Sequence, residues 1–399
     1  MPLTAPTPSS MDFALTPEQT SVRDNVRELA ENTLRPRAGE FEQAGGLPRD
    51  VLETLADMGL FGMLVPEEYG GAALDPLSYC LVIEELARGC ASTAITVSVS
   101  NSVVAAPIAA HGSVDHRQRF LPRLARGEWL GSFCLSEPHA GSDVAALRTR
   151  ATRTPGGYRL DGAKAWVTNA GWARLFLVVA TTDPAARGRG LTTFLVESDT
   201  RGLRVGPPER KMGLRASSTA PVYFDGCEIP ESARLGEEGS GMAIALETLD
   251  AARIGVAAQS VGIAQAALEE AMSYARSRHA FGQAIAAFGA VQGMLADMAA
   301  EVDAARLLTL RAAGLKARGV EFARAASMAK LYASETANRV AARAVQIHGA
   351  AGYSADSRVE RLYRDARATT IYEGTSEIQR LVIARHLLGR AARPGRATA

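Results

Sequence analysis

The sequence predicts an α+β multidomain protein: an N-terminal helical bundle, a middle antiparallel β-barrel or sandwich domain, and a C-terminal four-helix bundle. Three observations carry this. Helical periodicity runs from Thr16 to about Trp129, short β-rich runs separated by turn residues fill the stretch from Gly131 to Glu237, and long Ala-rich helical patterns return from Gly241. Helices, strands and helices in separate blocks argue against a wound α/β sheet. A chain of 399 residues suffices for about two or three domains, each with a buried core.

Residues 1–14 are rich in Pro, Ser and Thr and lack the basic and apolar regions of a secretory signal, so they are expected to form a flexible tail. The N-terminal helical domain, 15–130, opens where Thr16 can cap a helix with Pro17 at its first position and Val22, Val26 and Leu29 recurring behind it. Further helices are expected over 51–58 and 77–87, with Gly45, Gly46, Pro66, Gly70 and Gly71 as punctuation. Residues 91–110 carry no charge, yet their four Ser, two Thr, Asn101 and Pro107 fit a packed soluble helix and not a membrane span. The middle β domain, 131–238, is read from strands near 158–160, 175–180, 192–196 and 221–224. Pro155-Gly156-Gly157, Asp183-Pro184 and Gly206-Pro207-Pro208 separate them. The C-terminal helical domain, 239–399, holds helices over 242–276, 288–318, 321–348 and 376–388. No internal repeat is visible.

Composition removes several function classes. Lys plus Arg total 44 against 43 Asp plus Glu, a net charge of +1, which offers no basic surplus for nucleic acid. Hydrophobic residues at 47% and charged residues at 22% are globular proportions. Cys80, Cys90, Cys134 and Cys227 form no Cys-x-x-Cys pair and there is no His cluster at ligand spacing, so no metal site is expected and a reducing cytoplasm fits. No G-x-G-x-x-G follows a strand, which leaves a nicotinamide site without support.

Several residues have two readings each. Glu373, between Tyr372 and Gly374 and just before a helix that Thr375 or Ser376 can cap, is either a solvated loop carboxylate or a desolvated base of raised pKa suited to removing a carbon-bound proton. The segment 133–142 starts as a strand and ends in small residues; it is an ordinary strand-to-turn junction or a place where backbone amides approach a ligand closely. Trp166 and Thr168 offer a flat apolar face and a hydroxyl, unless the Trp is simply core. Arg278 either binds a phosphate or caps the preceding helix, and Asp250 with Arg253 opens a helix, where an Asp also matches the dipole.

Four local patterns decide between these readings: Leu135-Ser136-Glu137-Pro138-His139-Ala140-Gly141-Ser142-Asp143, Lys164-Ala165-Trp166-Val167-Thr168-Asn169, Arg278-His279-Ala280-Phe281-Gly282 and Tyr372-Glu373-Gly374-Thr375-Ser376-Glu377. In this order around an α-β-α layout, from about Leu15 to about Leu388, they resemble the acyl-CoA dehydrogenase family, nearest to its short-chain, butyryl-CoA-type members. The resemblance implies FAD-dependent α,β-dehydrogenation of a short acyl-CoA thioester to the trans-2-enoyl product. Glu373 takes the proton α to the thioester while hydride leaves the β carbon for flavin N5. The Glu373 amide and a ribityl hydroxyl of FAD hold the thioester oxygen. By the same resemblance Phe133, Leu135, Ser136, Gly141 and Ser142 contact the flavin and its pyrophosphate, Ser142 also meeting the pantetheine. Trp166, Val167 and Thr168 lie against the isoalloxazine, and Thr375, Ser376 and Glu377 belong to the cofactor site. Asp250, Arg253, Tyr372 and Gly374 join Ser142 at the substrate. Arg278, Phe281, Gln346, Ile347, Gly349 and Ala350 reach the FAD of a neighbouring subunit, which implies a homotetramer built as a dimer of dimers. An electron-transferring flavoprotein is the implied acceptor, and fatty acid metabolism the implied setting.

The chain departs from the family pattern at four places. Ala252 stands before Arg253, where some relatives carry their base. This leaves Glu373 as the family-consistent base and argues against the isovaleryl-CoA and long-chain subgroups. His139 replaces a usual Gly at the edge of the ligand entrance. Ala350 replaces a Gly and Gly289 a Gln, both in the direction of weaker FAD binding, with Gln292 one turn on as a compensating side chain. His348 is expected to be packed and not a ligand. The floor of the acyl pocket is expected to include residues 95–104. Three alternatives remain open: the same chemistry on an acyl carrier protein thioester in secondary metabolism, an acyl-CoA oxidase, and a non-catalytic helical scaffold that has lost the flavin.

Overall fold

Thr16 does begin the first helix: in the computed structural model, which describes residues 14–389, its Oγ1 accepts from the Gln19 amide at 3.2 Å while Gln19 Oε1 accepts from the Thr16 amide at 3.1 Å. Such a capping box contributes about 1 kcal/mol. The expected 1–14 tail lies, except for Ala14, outside the described residues. Helix α1 (Pro17–Leu29) runs through a π turn (Ala30–Leu34) into α2 (Arg35–Ala44), and α3 (Arg49–Asp57) comes next. Helix α4 (Pro76–Gly89) is capped by Asp75, whose Oδ1 accepts from the Leu77 amide at 2.8 Å. Beyond it lie α5 (Ala91–Val99), a π turn (Ser100–Ala105), α6 (Ala106–His111) and α7 (Val114–Ala125). The run Ala91–His111 is long and apolar enough to cross a membrane, but 83% of its apolar window is buried inside the protein.

The middle region is one eight-stranded sheet of β1 (Leu130–Cys134), β2 (Arg150–Thr154), β3 (Gly157–Thr168), β4 (Ala173–Thr181), β5 (Leu191–Glu197), β6 (Leu203–Val205), β7 (Thr219–Pro230) and β8 (Arg234–Leu235). Its order is β6-β7-β3-β2-β4-β5-β8, with β1 beside β4. Pairing is antiparallel except that β1 runs parallel to β4, and β2 meets β4 in parallel at Arg150 and Thr181. Tyr158, Phe176 and Phe194 fill the sheet's core without exposure.

Helix α8 (Gly241–Ser277) leads through a small hairpin, β9 (His279–Ala280) and β10 (Gln283–Ala284), into α9 (Gly289–Ala317) and α10 (Ala323–His348). The short α11 (Ala350–Tyr353), α12 (Arg358–Thr369) and α13 (Ser376–Leu388) complete the described chain. Fully buried small residues, Ala257, Ala264 and Ala271 on α8 and Ala326, Ala333 and Ala337 on α10, let these helices approach closely. A Cβ on Gly262 would lie 2.2 Å from the Glu84 carbonyl oxygen, so α4 and α8 meet backbone to backbone. The N-terminal helices and the C-terminal bundle therefore share one core. Asp250 and Arg253 do not open α8: the helix starts at Gly241, about two turns earlier. Dipole matching at a helix start therefore cannot account for Asp250, and its partner is Arg253.

Candidate active site

The turn between α12 and α13 brings the C-terminal motif back against the bundle. The Ser376 amide donates to Thr370 O at 3.0 Å, and Thr375 Oγ1 caps α13 by accepting from the Ile378 amide at 3.3 Å. This reversal places Glu373 at φ 56 and Gly374 at φ 90. A non-glycine residue in that region costs of order 1–3 kcal/mol and persists only where its surroundings hold it. Two buried side chains do so: Lys330 Nζ donates to Gly374 O at 2.7 Å, and Gln379 Nε2 donates to Gly374 O at 2.9 Å and Glu373 O at 3.2 Å.

Glu373 is no solvated carboxylate. Its Oε2 is shut off from solvent and has no hydrogen-bond partner. Burial pushes its carboxyl up to about 7, against the pull of Arg253 and Lys330. Arg253 is 4% exposed; its Nη1 bonds Asp250 Oδ1 and lies 3.4 Å from Ser327 Oγ, while its Nε has no partner. Desolvation holds the Lys330 ammonium down at about 8. The Tyr372 hydroxyl donates to Gln259 Oε1, and Gln259 Nε2 donates to Ala91 O at 3.0 Å. Tyr79 and Ser98 share a hydroxyl pair at 2.8 Å, and burial, with the charge of Glu373 adding to it, pushes the Tyr79 phenol up. Ile95 and Val99, from the 95–104 stretch, belong to one apolar cluster with Ala252 and with Tyr372, the residue before Glu373. Buried polar atoms left unpaired cost about 1–3 kcal/mol each. Three of them, Glu373 Oε2, Arg253 Nε and Gln379 Oε1, gather on residues of this one site. Such an arrangement leaves polar atoms that a bound ligand's own polar groups could satisfy.

The β-domain motifs assemble beside it. Lys164, fully buried, donates from Nζ to Glu137 Oε1 at 2.8 Å and to Leu135 O at 3.0 Å. Glu137 also accepts from the Arg148 and Thr149 amides at 2.7 and 2.9 Å. The Ala165 amide donates to Ser136 O at 2.9 Å, and Ser132 Oγ to Thr168 O at 2.7 Å. The segments 133–142 and 164–169 are thus locked together. A bulge between Lys164 and Val167 puts Trp166 at φ 60 with 62% of its surface exposed, so it is no core residue. Val167, 1% exposed, points into the sheet's core and offers only main chain, while Thr168 ends the strand half-buried. Leu135 is buried, whereas Gly141 and Ser142 are exposed. Phe133 and Leu135 share an apolar cluster with Ala245 and Leu249 of α8, which joins this face to the Asp250 side of the site. His139 lies at the exposed edge, 3.5 Å from Glu137.

The remaining predicted residues are elsewhere in the chain. Arg278 and Phe281 sit beyond the far end of α8, about 37 Å from Arg253 at 1.5 Å per residue. The Arg278 amide closes the helix on Tyr274 O at 2.9 Å, and no partner among the described residues meets its side chain. Phe281 is 96% exposed at φ 50. Gln346 and Ala350 are exposed, Gly349 takes φ 59, and Ile347 is 6% exposed in the helical core. His348 stacks on Tyr274 with ring centroids 4.2 Å apart, as a packed residue. Gln292 donates to Ala286 O at 3.0 Å, so it is engaged within its own chain. Glu377 is exposed, and the buried Ser376 spends its hydroxyl on Glu335 Oε1 at 2.6 Å.

Lys330, Gln379, Tyr79 and the Glu137–Lys164 pair were not assigned roles from the sequence. Lys330 had a signal, a lone cation in the small-residue run Ala325-Ala326-Ser327-Met328-Ala329. Gln379 had none.

Comparison with known proteins agrees with this architecture across residues 16–388. The N-terminal, middle and C-terminal domain families of acyl-CoA dehydrogenase match residues 16–128, 132–227 and 239–388. The chain is 46% identical over 367 residues to the mitochondrial short-chain specific acyl-CoA dehydrogenase of Rattus norvegicus, covering 92% of this chain and 89% of that protein. Butyryl-CoA dehydrogenase from Megasphaera elsdenii superposes with a TM-score of 0.93 at 41% identity, over 95% of this chain and all of that one (100%). The prolyl acyl carrier protein oxidase AnaB superposes with a TM-score of 0.90 at 35% identity, over 94% and 100% of the two chains. A carboxylate buried without a partner, a joined β face carrying an exposed indole, and family matches spanning the three regions lead to one conclusion: the chain belongs to the acyl-CoA dehydrogenase family.

Proposed function

We propose that this protein oxidises a short-chain acyl-CoA to its trans-2-enoyl-CoA with FAD as cofactor, Glu373 acting as the base. The observation that carries the assignment is the Glu373 carboxylate, buried with Oε2 unpaired and pushed up to about 7. A base of that strength matches the operating pH, which general base catalysis requires.

The residues present fit FAD. Trp166 offers an open indole face, and Thr168 lies just beyond it at the strand end. A side chain at Gly141 would meet nothing within 4 Å, which leaves room for a ligand to pass along its backbone. Ser136, Ser142, Thr375 and the main chain of Val167 would hold the cofactor beside them. FAD, when bound, supplies the acceptor for the hydride from the substrate's β carbon. Glu373 Oε2 takes the α proton, and the Glu373 amide, which meets no acceptor among the described residues, is free to donate to the thioester oxygen. Arg253, bonded to Asp250, keeps a buried Nε without a partner, a donor that a polar group of the thioester would satisfy. Tyr372, Ile95 and Val99 exclude water from the acyl chain.

Coenzyme A is favoured over a carrier protein as the thioester's bearer because the butyryl-CoA and short-chain relatives are more similar than the carrier-protein oxidase. The place of Arg278 and Phe281 beyond the far end of α8, distant from Arg253, and the exposure of Phe281, Gln346 and Ala350 support a homotetramer in which one subunit completes its neighbour's cofactor site. An electron-transferring flavoprotein would then reoxidise the enzyme. Four free cysteines, all buried, suit a cytoplasmic setting, and fatty acid metabolism is the matching context.

Anaerobic addition of butyryl-CoA to the purified holoenzyme should bleach its visible flavin band, and Glu373→Gln should keep the band and lose the bleaching. Near-normal turnover by Glu373→Gln would sink the assignment.

A further inference from the structure

We propose that Lys330 is the positioning residue of the base: it pins the strained Glu373–Gly374 turn through Gly374 O and holds a positive charge beside the Glu373 carboxylate. The inference rests on Glu373 being the base.

Lys330 is fully buried in the N-terminal third of α10, where the preceding Ala329 and, one turn back, Ala326 are also buried. An ammonium in such a place is costly unless it is paired and hydrogen-bonded. Its hydrogen bond goes to a main-chain carbonyl, Gly374 O at 2.7 Å, and not to a carboxylate. An apolar residue of similar size would fill the volume without that cost. What the ammonium adds is a donor that fixes the carbonyl just after Glu373 and a cation within the electrostatic reach of its side chain.

The charged groups around the pair come from every element packed on it. Arg253 of α8 bears on Glu373 together with Lys330, and Arg253 itself is bonded to Asp250. Glu335 of α10 and Glu377 of α13 act on Lys330. Tyr79 of α4 and Tyr372 feel the charge of Glu373 with their phenols pushed up by burial. Lys330 is therefore the cation that touches the base's own turn, whereas Arg253 is already engaged by Asp250. Burial drives the Glu373 carboxyl up, and Arg253 and, after it, Lys330 oppose it. Without that opposition Glu373 would stay protonated further into the working range.

The test uses the flavin-loaded enzyme with Lys330→Met, which removes donor and charge, Lys330→Gln, which keeps a donor, and Lys330→Arg, which keeps the charge. The rate of anaerobic flavin bleaching by butyryl-CoA is measured against pH. An opposite charge at close range moves a carboxyl by about one pH unit or more. The acid-limb midpoint should rise by about that much in the Met and Gln variants, slowing bleaching at neutral pH about fivefold, and should stay in place in the Arg variant. A merely structural lysine would lower the rate at all pH values and leave the midpoint where it was, and that result overturns the proposal. Failure of both uncharged variants to fold, with Lys330→Arg folding normally, also overturns it by assigning the charge to stability. Glu373→Gln separates the two claims: if it bleaches normally the base assignment falls, and if it is inert while the midpoint ignores Lys330, only this inference falls.

Discussion

Glu373→Gln should stabilise the protein while it disables the enzyme, and the size of the gain comes from the carboxyl's burial. The unfolded chain ionises Glu373 near the usual 4.5, the folded chain near 7. Because the folded value is the higher, the unfolded state releases its proton first, so raising the pH through this window favours unfolding. At about 1.4 kcal/mol per pH unit, the whole gap amounts to about 3 kcal/mol above pH 7. Partial exposure of the rest of the residue, and the amide that Gln must bury, trim this to about 2 kcal/mol. The assay is urea unfolding of flavin-stripped protein, monitored by circular dichroism, at about pH 8 and about pH 5. The Gln variant should be more stable than the parent by about 2 kcal/mol at the higher pH and by under about 1 kcal/mol at the lower. Equal stability at both values would refute the claim that Glu373 is held charged and unpaired in a desolvated place.

Trp166→Ala removes a ring that is 62% exposed, so stability should stay within about 0.5 kcal/mol while FAD binding weakens about tenfold, read as flavin retained after dialysis. Unchanged retention would take Trp166 out of the cofactor site. Lys164→Met strands the buried Glu137 carboxylate, whose side chain is 2% exposed, and should cost about 3–5 kcal/mol; an unaltered melting temperature would contradict this. A Cβ at Gly255 would lie 3.1 Å from both Tyr79 Oη and Ser98 Oγ, so Gly255→Ala should shorten the pocket. The kcat/KM preference for butyryl-CoA over hexanoyl-CoA should then rise about tenfold, and a constant ratio would mean the acyl chain ends elsewhere.

Local chemistry was legible in the sequence wherever a few neighbouring residues decide it. The Thr16–Pro17 start was readable from the cap alone, and α13 lies over the expected 376–388 because Thr375 can cap only the segment C-terminal to it. Helix α12 was missed since Arg358, Glu360, Arg361, Arg364, Asp365 and Arg367 mask a periodic face of Val359, Leu362, Ala366 and Thr369. Strand β2 carries one buried apolar side chain, Ala151, and forms because β3 and β4 flank it, a fact no window of five residues contains. At the site, the motif pointed to Glu373, but the charges that act on its buried carboxyl, Arg253 and Lys330, arrive from two other helices. Trp166 was read against a core alternative because nothing in Lys164-Ala165-Trp166-Val167 announces a bulge. Asp250 is different: the expected helix over 242–276 already places it inside α8, which begins at Gly241, so reading it as a helix-opening residue conflicts with the periodicity of the same stretch.

Two buried carboxylates in this chain show the difference between a structural acid and a chemical one. Glu137 and Glu373 each have a lysine in contact with their segment, and neither is a surface group. Glu137 accepts from two backbone amides and from Lys164 directly. Burial opposes its ionisation, but the charge of Lys164 and these bonds hold its carboxyl below the usual range. Glu373 Oε2 receives no such bond, and the charges of Arg253 and Lys330 only partly offset its burial. Its lysine bonds the next residue's carbonyl, its arginine is drawn off by Asp250, its backbone sits at φ 56, and Oε2 is left open. Folding alone would favour the first arrangement at both places, since every departure at Glu373 lowers stability. Two of them, the burial and the missing bond at Oε2, make that atom a better proton acceptor, and the strained backbone holds it in place. A lysine that steadies the backbone of a base without quenching its side chain is the economical way to keep such an atom both positioned and reactive.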